Sequence, residues 1–191
     1  GEAMLLTRRL VAEAELRRVV CREPGITMLV GEAASGLAVS TAGDVPVVTG
    51  VHLQSGGRVD ADLVVDAGGR RSALPDWFAA AALPMPLEER QDCGFFYLTR
   101  FYAVRSGCET PESKLPASVP LDYATVFALG ADNDTFSLSL TLSVEDPHRH
   151  AFRDPVRFDQ FFAAVPRTAP LVSLGEPITD ISLMTRIENR R

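Results

Sequence analysis

Residues 135–144 alternate strictly between apolar and hydroxyl-bearing side chains. The two alternating sets are Phe136, Leu138, Leu140 and Leu142, and Ser137, Ser139, Thr141 and Ser143. A period of two is typical of a β-strand with one dry face and one wet face. Residues 121–130 predict a second strand that pairs with the first as a hairpin. We therefore expect the second half of the chain to form a mostly antiparallel sheet with two unlike faces.

The rest of the chain predicts both helices and strands. Apolar periodicity predicts helices over residues 4–22, 73–83 and 155–165, the last of which begins at Asp154-Pro155, an N-cap followed by proline. Short apolar segments between turn residues predict strands over 26–30, 33–40, 45–53, 58–66, 93–104 and 177–187. Residues 106–120, which contain three prolines, predict a loop or lid. This order predicts a mixed α/β (α+β) fold.

Composition excludes several classes of function. A length of 191 residues suits one domain or two small ones. The net charge of −6 and the lack of a basic cluster argue against nucleic acid or an anionic membrane as partner. No apolar run approaches the ~18 residues of a membrane span. The N-terminus does not resemble a signal peptide, and the three cysteines form no CxxC pair, so we expect a cytoplasmic protein.

We predict no metal site. The sequence contains one His-x-His pair, His148 and His150, which could bind a metal if it lay on a strand. The pair follows Asp146-Pro147, which predicts a turn, and we expect both imidazoles to be solvated.

The segment from Asp60 to Ser72 carries the most chemical information. An apolar run, Leu63-Val64-Val65, predicts a strand buried on both faces, and it leads through Gly68-Gly69 into a predicted helix near Ser72. Backbone N–H groups at such a strand end allow a ligand to approach the main chain closely. The carboxylate of Asp66 could accept hydroxyls of a ribose. The alternative, a tight turn stabilised by a capping Asp, stays open.

The succession of motifs in this chain resembles the FAD-dependent monooxygenase superfamily with the para-hydroxybenzoate hydroxylase fold. Its most specific part runs from Asp62 to Trp77, and it is similar to the epoxidase and halogenase-like branch. The resemblance implies that residues 1–84 form a partial, Rossmann-like FAD-binding domain. It also implies that residues 85–191 form a substrate domain with a mostly antiparallel sheet and covering helices.

The same resemblance implies a set of site residues. FAD would be the cofactor, with NAD(P)H as a reductant. The flavin-side arginine would be Arg8 or Arg9, and the flavin ribose and pyrophosphate would lie near Asp66, Gly68 and Gly69, where Gly68 replaces the usual polar residue. The aromatic segment 93–104 would line the site of a small apolar or aromatic substrate, and its candidate contacts are Phe96, Tyr97, Arg100 and Tyr102. For Arg100, stacking on neighbouring rings is the alternative.

Two motifs of the superfamily are not present in the chain. The sequence contains no GxGxxG and no later Gly-Asp motif. We therefore expect the middle portion of an FAD-dependent oxidoreductase of the monooxygenase type. The alternatives are a non-catalytic fragment or partner-dependent binding module, and a flavin-dependent reductase of isoprenoid double bonds. We expect the chain alone to bind little FAD, and to self-associate unless another chain supplies the missing motifs.

Overall fold

The computed structural model describes residues 7–109 and 117–190. In chain order the elements are α1 (Arg9–Val20), β1 (Ala34–Ser40), β2 (Val47–Leu53), β3 (Arg58–Asp60), α2 (Leu74–Ala80), β4 (Arg90–Asp92), β5 (Phe95–Val104), β6 (Ala117–Pro120), β7 (Ala124–Gly130), β8 (Thr135–Ser143), α3 (Pro155–Ala164), α4 (Ala169–Leu174), β9 (Gly175–Pro177), β10 (Ser182–Met184) and β11 (Glu188–Arg190). Helices and strands both contribute substantially, so the predicted mixed α/β class is confirmed.

The chain divides into two compact units. Residues 7–19 and 89–190 form the larger one, and residues 20–88 form the smaller one. The first helix thus groups with the second half of the chain. The division into functional domains after residue 84, which the resemblance implies, stays a prediction. No helix in the described residues is both long enough and apolar enough to cross a bilayer.

The larger unit is built on a six-stranded sheet in the order β10-β5-β8-β7-β6, with β9 also paired to β5. Every pairing in this sheet is antiparallel, as the alternating pattern predicted. Strand β8 lies between β5 and β7 and is paired along nearly its whole length on both sides. The predicted hairpin of residues 121–130 and 135–144 is confirmed as β7 and β8.

The two faces of β8 differ as the alternation predicted. Its four apolar side chains are buried beneath α3, in one cluster with Phe158, Phe162 and Leu171. We call this side of the sheet the apolar face. The opposite side, the hydroxyl face, carries Ser137, Ser139, Thr141 and Ser143, whose exposure rises from buried Ser137 to exposed Ser143. Burying branched and aromatic side chains on one face provides most of the driving force for this unit.

The smaller unit contains the three-stranded antiparallel sheet β1-β2-β3 and helix α2. The predicted hairpin with its turn at Gln54–Gly57 is present, and the Gly56 N–H donates to the Leu53 carbonyl across it at 3.0 Å. Helix α2 begins at Leu74 rather than at Ser72, although the Ser72 hydroxyl accepts the Leu74 N–H at 3.0 Å.

The predicted strand over residues 58–66 is wrong beyond Asp60. Residues 61–68 adopt no regular secondary structure, and the side chains of Leu63 and Val65 are 77% and 78% exposed. An apolar run of this kind becomes a buried strand only when neighbouring strands and two covering layers are present. In the described residues, no strand pairs with residues 61–68.

Three other predicted segments also need correction. Residues 26–30 form no strand, because their apolar side chains find no pairing partner in the described residues and stay exposed. The predicted strand over residues 177–187 forms only the end of β9 and the whole of β10. Between these two strands, the Phe101 N–H donates to the Thr179 hydroxyl at 3.0 Å instead of to a backbone carbonyl. In the predicted loop 106–120, residues 117–120 form β6, and residues 110–116 lie outside the described residues.

The N-cap of α3 provides a first stability prediction. The Asp154 carboxylate accepts the Arg157 N–H at 2.9 Å, as the sequence indicated. We expect Asp154→Ala to lower the free energy of unfolding by about 1 kcal/mol, because this N–H loses its partner. Urea denaturation followed by circular dichroism measures the change. Asp154→Asn is the control and should retain most of the stability; equal losses in both variants would contradict the cap.

Gly175 provides a second stability prediction, based on space. A Cβ at this position would lie 2.6 Å from the Phe136 ring and 3.1 Å from two Tyr102 atoms. We therefore expect Gly175→Ala to destabilise the larger unit by about 1–3 kcal/mol through overpacking. The matched control is Gly36→Ala in β1, where no atom lies within 4 Å of the added methyl. An unchanged unfolding midpoint for Gly175→Ala would contradict this packing.

Candidate functional site

The Asp66 side chain organises the turn that precedes α2. One carboxylate oxygen accepts the Gly68 N–H at 2.9 Å, and the other accepts the Ser72 hydroxyl. These two bonds hold the pKa of the Asp66 carboxyl below its usual value, the Ser72 bond contributing more. Asp66 is therefore ionised at neutral pH. Asp66 therefore closes the turn through Gly68 and Ser72, although it does not cap α2, whose N-cap residue Ala73 makes no side-chain capping bond.

The geometry of this turn explains the two glycines. A Cβ on Gly68 would lie 3.0 Å from Asp66 Oδ1 and 3.2 Å from the Ser72 Cα, so the turn leaves little room for a side chain there. Gly69 adopts a φ of +60°, the left-handed region that favours glycine. The close approach of Asp66 and Ser72 at Gly68 and the positive φ of Gly69 therefore favour glycine at both positions.

Asp66 retains capacity to bind a ligand. An ionised carboxylate offers about four lone-pair positions, and the turn uses two of them. The residue is exposed, so the remaining positions can accept hydroxyls from solution. This acceptor chemistry fits the hydroxyls of a ribose.

Arg8 forms an ion pair with Asp132 in the turn between β7 and β8. The Arg8 guanidinium donates to both carboxylate oxygens, at 2.6 Å from Nη2 and 3.0 Å from Nε, and the Arg8 backbone N–H donates at 2.9 Å. The guanidinium hydrogen bonds hold the pKa of the Asp132 carboxyl well below its usual range. Arg8 therefore ties the beginning of α1 to the sheet of the same unit.

Arg9 lies on the surface of α1. Its Nε donates to Glu13 at 2.5 Å, four residues along the helix, and most of its side chain is exposed. The choice between Arg8 and Arg9 as a flavin-side arginine stays a prediction. The structure distinguishes them in one respect: Arg8 donates four hydrogen bonds to Asp132, whereas Arg9 has a single exposed helical partner.

The four predicted substrate contacts on β5 do not share one face. Phe96, Arg100 and Tyr102 point to the apolar face, and Tyr97 lies on the hydroxyl face with Phe95, whose ring it meets edge to face. Tyr102 is 1% exposed, so its side chain has almost no surface left for a substrate. Of the four candidates, Tyr97 is the one that lies on the hydroxyl face and could contact a ligand there.

Arg100 and Tyr102 meet Asp159 of α3. Asp159 accepts the Tyr102 hydroxyl on one oxygen and Arg100 Nη1 at 2.9 Å on the other. Burial, followed by the bond to Asp159, raises the pKa of the Tyr102 phenol. The guanidinium also lies 5.7 Å from the Tyr102 ring centre, which agrees with the stacking alternative for Arg100. The three side chains connect β5 to α3.

The hydroxyl face combines hydroxyl groups with aromatic rings. Thr99 and Ser139 lie opposite each other, with their hydroxyl oxygens 2.8 Å apart. The buried Thr141 Oγ1 has no hydrogen-bond partner in the described residues. Tyr97 and Thr125 lie opposite Thr141 on the two neighbouring strands. A buried hydroxyl without a partner indicates a place where water or a ligand atom completes the hydrogen bonding.

Sequence reasoning missed Asp132 and Asp159, which hold the arginines of interest. Neither stands in a recognisable motif, and their partners lie 124 and 59 residues away along the chain. The only signal for Asp132 was its turn composition, Asp-Asn-Asp, in which Asn133 and Asp134 adopt positive φ. His148 and His150 are both exposed, and no metal-binding group of three side chains occurs in the described ranges.

Comparisons with known proteins give a clear result for structure only. No protein-family model matches the sequence, and no curated protein matches it. Among solved structures, PqsL, a probable FAD-dependent monooxygenase from Pseudomonas aeruginosa, matches 92% of this chain with a TM-score of 0.64 at 13% identity. The flavin-dependent brominase Bmp2 matches 93% with a TM-score of 0.64 at 15% identity. The myxobacterial chondrochloren halogenase CndH matches 81% with a TM-score of 0.55 at 13% identity.

The matched region is only a part of each of these structures. This chain covers 46% of PqsL, 43% of Bmp2 and 35% of CndH, so it spans less than half of their length. At 13–15% identity the similarity concerns the fold. The chain therefore has the fold of part of the FAD-dependent monooxygenases and halogenases.

Proposed function

We propose that this chain is part of an FAD-dependent oxidoreductase of the monooxygenase type. The observation that carries the proposal is a fold that follows PqsL and Bmp2 over more than nine-tenths of the chain. The ionised, exposed Asp66 turn supports it independently, because its free acceptor positions suit a ribose.

In this proposal FAD supplies the redox chemistry, and NAD(P)H serves as the reductant. Asp66 accepts ribose hydroxyls, and the Gly68-Gly69 backbone lets the cofactor approach the main chain. The chain contains no GxGxxG to bind a pyrophosphate. The remaining cofactor contacts would come from polypeptide outside these 191 residues.

The hydroxyl face of the six-stranded sheet is the proposed wall of the substrate site. Tyr97, Phe101 and Phe127 supply aromatic surface there, and the substrate would be a small apolar or aromatic molecule. The unpartnered Thr141 hydroxyl would orient a polar atom of that substrate. These residues would bind, orient and exclude water, and none of them acts as an acid or base.

A partner-dependent binding module is the second candidate. The exposure of Leu63 and Val65, which flank the Asp66 turn, favours it, because apolar side chains at this position suit a covering strand or a partner surface. Both candidates require additional polypeptide; they differ in whether flavin binds to the completed assembly.

The flanking DNA and an FAD titration test the proposal together. We expect the purified 191-residue chain to be colourless, with little or no bound FAD. We also expect the flanking DNA to encode, in frame, an upstream GxGxxG and a downstream Gly-Asp motif. In the extended polypeptide, Asp66→Asn should lower FAD affinity roughly tenfold, because a hydrogen bond to a charged acceptor is lost while the turn can persist.

The matched control for the titration is Asp62→Asn, an exposed carboxylate four residues earlier. It should leave FAD affinity unchanged. Flanking DNA without either motif, together with no FAD binding by the extended polypeptide, would contradict the flavin proposal and favour the binding module.

Self-association of the chain alone is a further expectation. Light scattering at micromolar concentration should give a mass above the 20.7 kDa of the monomer. The double change Leu63→Ser and Val65→Thr should shift the mass toward the monomer, since it removes exposed apolar surface. Val45→Thr, at another exposed apolar position in the smaller unit, is the control. A monodisperse wild-type monomer would contradict the expectation.

A further inference from the structure

A small pocket lies at one end of the six-stranded sheet, on its apolar face. It encloses about 130 Å³, and three apolar side chains line it: Phe96 near the start of β5, Val144 just after β8, and Leu183 on β10. Leu183 lies opposite Leu98, which places it on the same face as Phe96. None of the sequence motifs predicted this pocket.

Three basic residues and Thr185 line the rest of the pocket. Arg149, His150 and Arg153 come from the segment between β8 and α3, which continues from the end of β8. Arg149 Nη1 donates to the Asp146 carbonyl at 3.0 Å, which fixes this guanidinium and leaves its other donors for a ligand. Two arginines and a histidine thus line one cavity in a chain whose net charge is −6.

The neighbouring carboxylates of Asp146 and Asp154 bond to backbone N–H groups rather than to these basic side chains. Asp146 accepts the His148 backbone N–H at 2.7 Å, and Asp154 accepts the Arg157 backbone N–H at 2.9 Å. Across residues 7–109 and 117–190, no carboxylate forms an ion pair with Arg149 or Arg153. Unpaired guanidinium groups around a concave apolar surface favour an anionic ligand with an apolar part.

We propose that this pocket binds a small organic carboxylate whose apolar body is about the size of one ring. The planar guanidinium groups of Arg149 and Arg153 match the two oxygens of a carboxylate. Phe96, Val144 and Leu183 receive the apolar body. An apolar cavity of about 150 Å³ accommodates a benzene ring, so the volume here suits a ring or a short branched chain.

Inorganic phosphate fits the pocket less well than such a carboxylate. It would use the guanidinium groups but leave the apolar lining without a partner, and burial of that lining supplies part of the binding free energy. The pocket is also separate from the proposed substrate wall, because Phe96 and Tyr97 point to opposite faces of β5. Binding here therefore does not depend on flavin.

Benzoate is the probe for the first experiment. We expect a titration of the 191-residue chain, followed by amide chemical shifts, to show saturable changes centred on Val144, Arg149 and Thr185, which all line the pocket. Arg153→Gln should weaken benzoate binding about tenfold, because a charged hydrogen-bond donor is lost. The matched control is Arg157→Gln, an exposed arginine one helical turn further along, which should bind benzoate as the wild type does.

A second variant tests the apolar lining rather than the charge. Val144→Thr keeps the side-chain shape and adds a hydroxyl, so it should reduce benzoate affinity severalfold while leaving acetate binding unchanged. Circular dichroism of each variant establishes that it is folded. Shift changes centred elsewhere, phosphate binding as tight as benzoate, equal losses in Arg153→Gln and Arg157→Gln, or no saturable binding would each overturn the proposal.

Discussion

The larger unit depends on the central position of β8 and on the contrast between its two faces. Because β8 pairs with β5 on one side and with β7 on the other, its pleat decides which side chains of both neighbours are buried. Its apolar set packs with Phe158 and Phe162 of α3. A shift of register by one residue would turn the four apolar side chains of β8 outward and bury its four hydroxyls. The alternation therefore specifies the strand pairing strongly.

The apolar face also explains why Arg100 and Tyr102 of β5 contribute to packing rather than to an accessible surface. Arg100 and the Tyr102 hydroxyl are polar groups on a dry face, and both are satisfied by Asp159 of α3. Leaving either one unpaired there would cost the desolvation of that group. The composition of β5 indicates aromatic surface, but only the position of α3 determines which rings remain accessible.

Local patterns predicted the elements whose partners are also local or strongly patterned. The alternation of β8, the aromatic run of β5 and the Asp154 cap of α3 could all be read from neighbouring residues. Residues 61–66 could not, since an apolar run does not reveal whether strands are present on both sides. The pairing of Arg8 with Asp132 joins residues 124 positions apart and leaves no periodic signal. Site residues that are held by such long-range pairs can be predicted only when the fold is known.

The same pleat that specifies the sheet separates the two proposed ligand surfaces, so that they can vary independently. On β5, Phe96 contributes to the basic pocket at the end of the apolar face, whereas the adjacent Tyr97 lies on the hydroxyl face. The residues that give each surface its chemistry also differ, because Arg149 and Arg153 come from the segment before α3 and Thr141 from β8. Substitution of Arg149 or Arg153 can therefore change the charge of the pocket without altering the strands that form the proposed substrate wall.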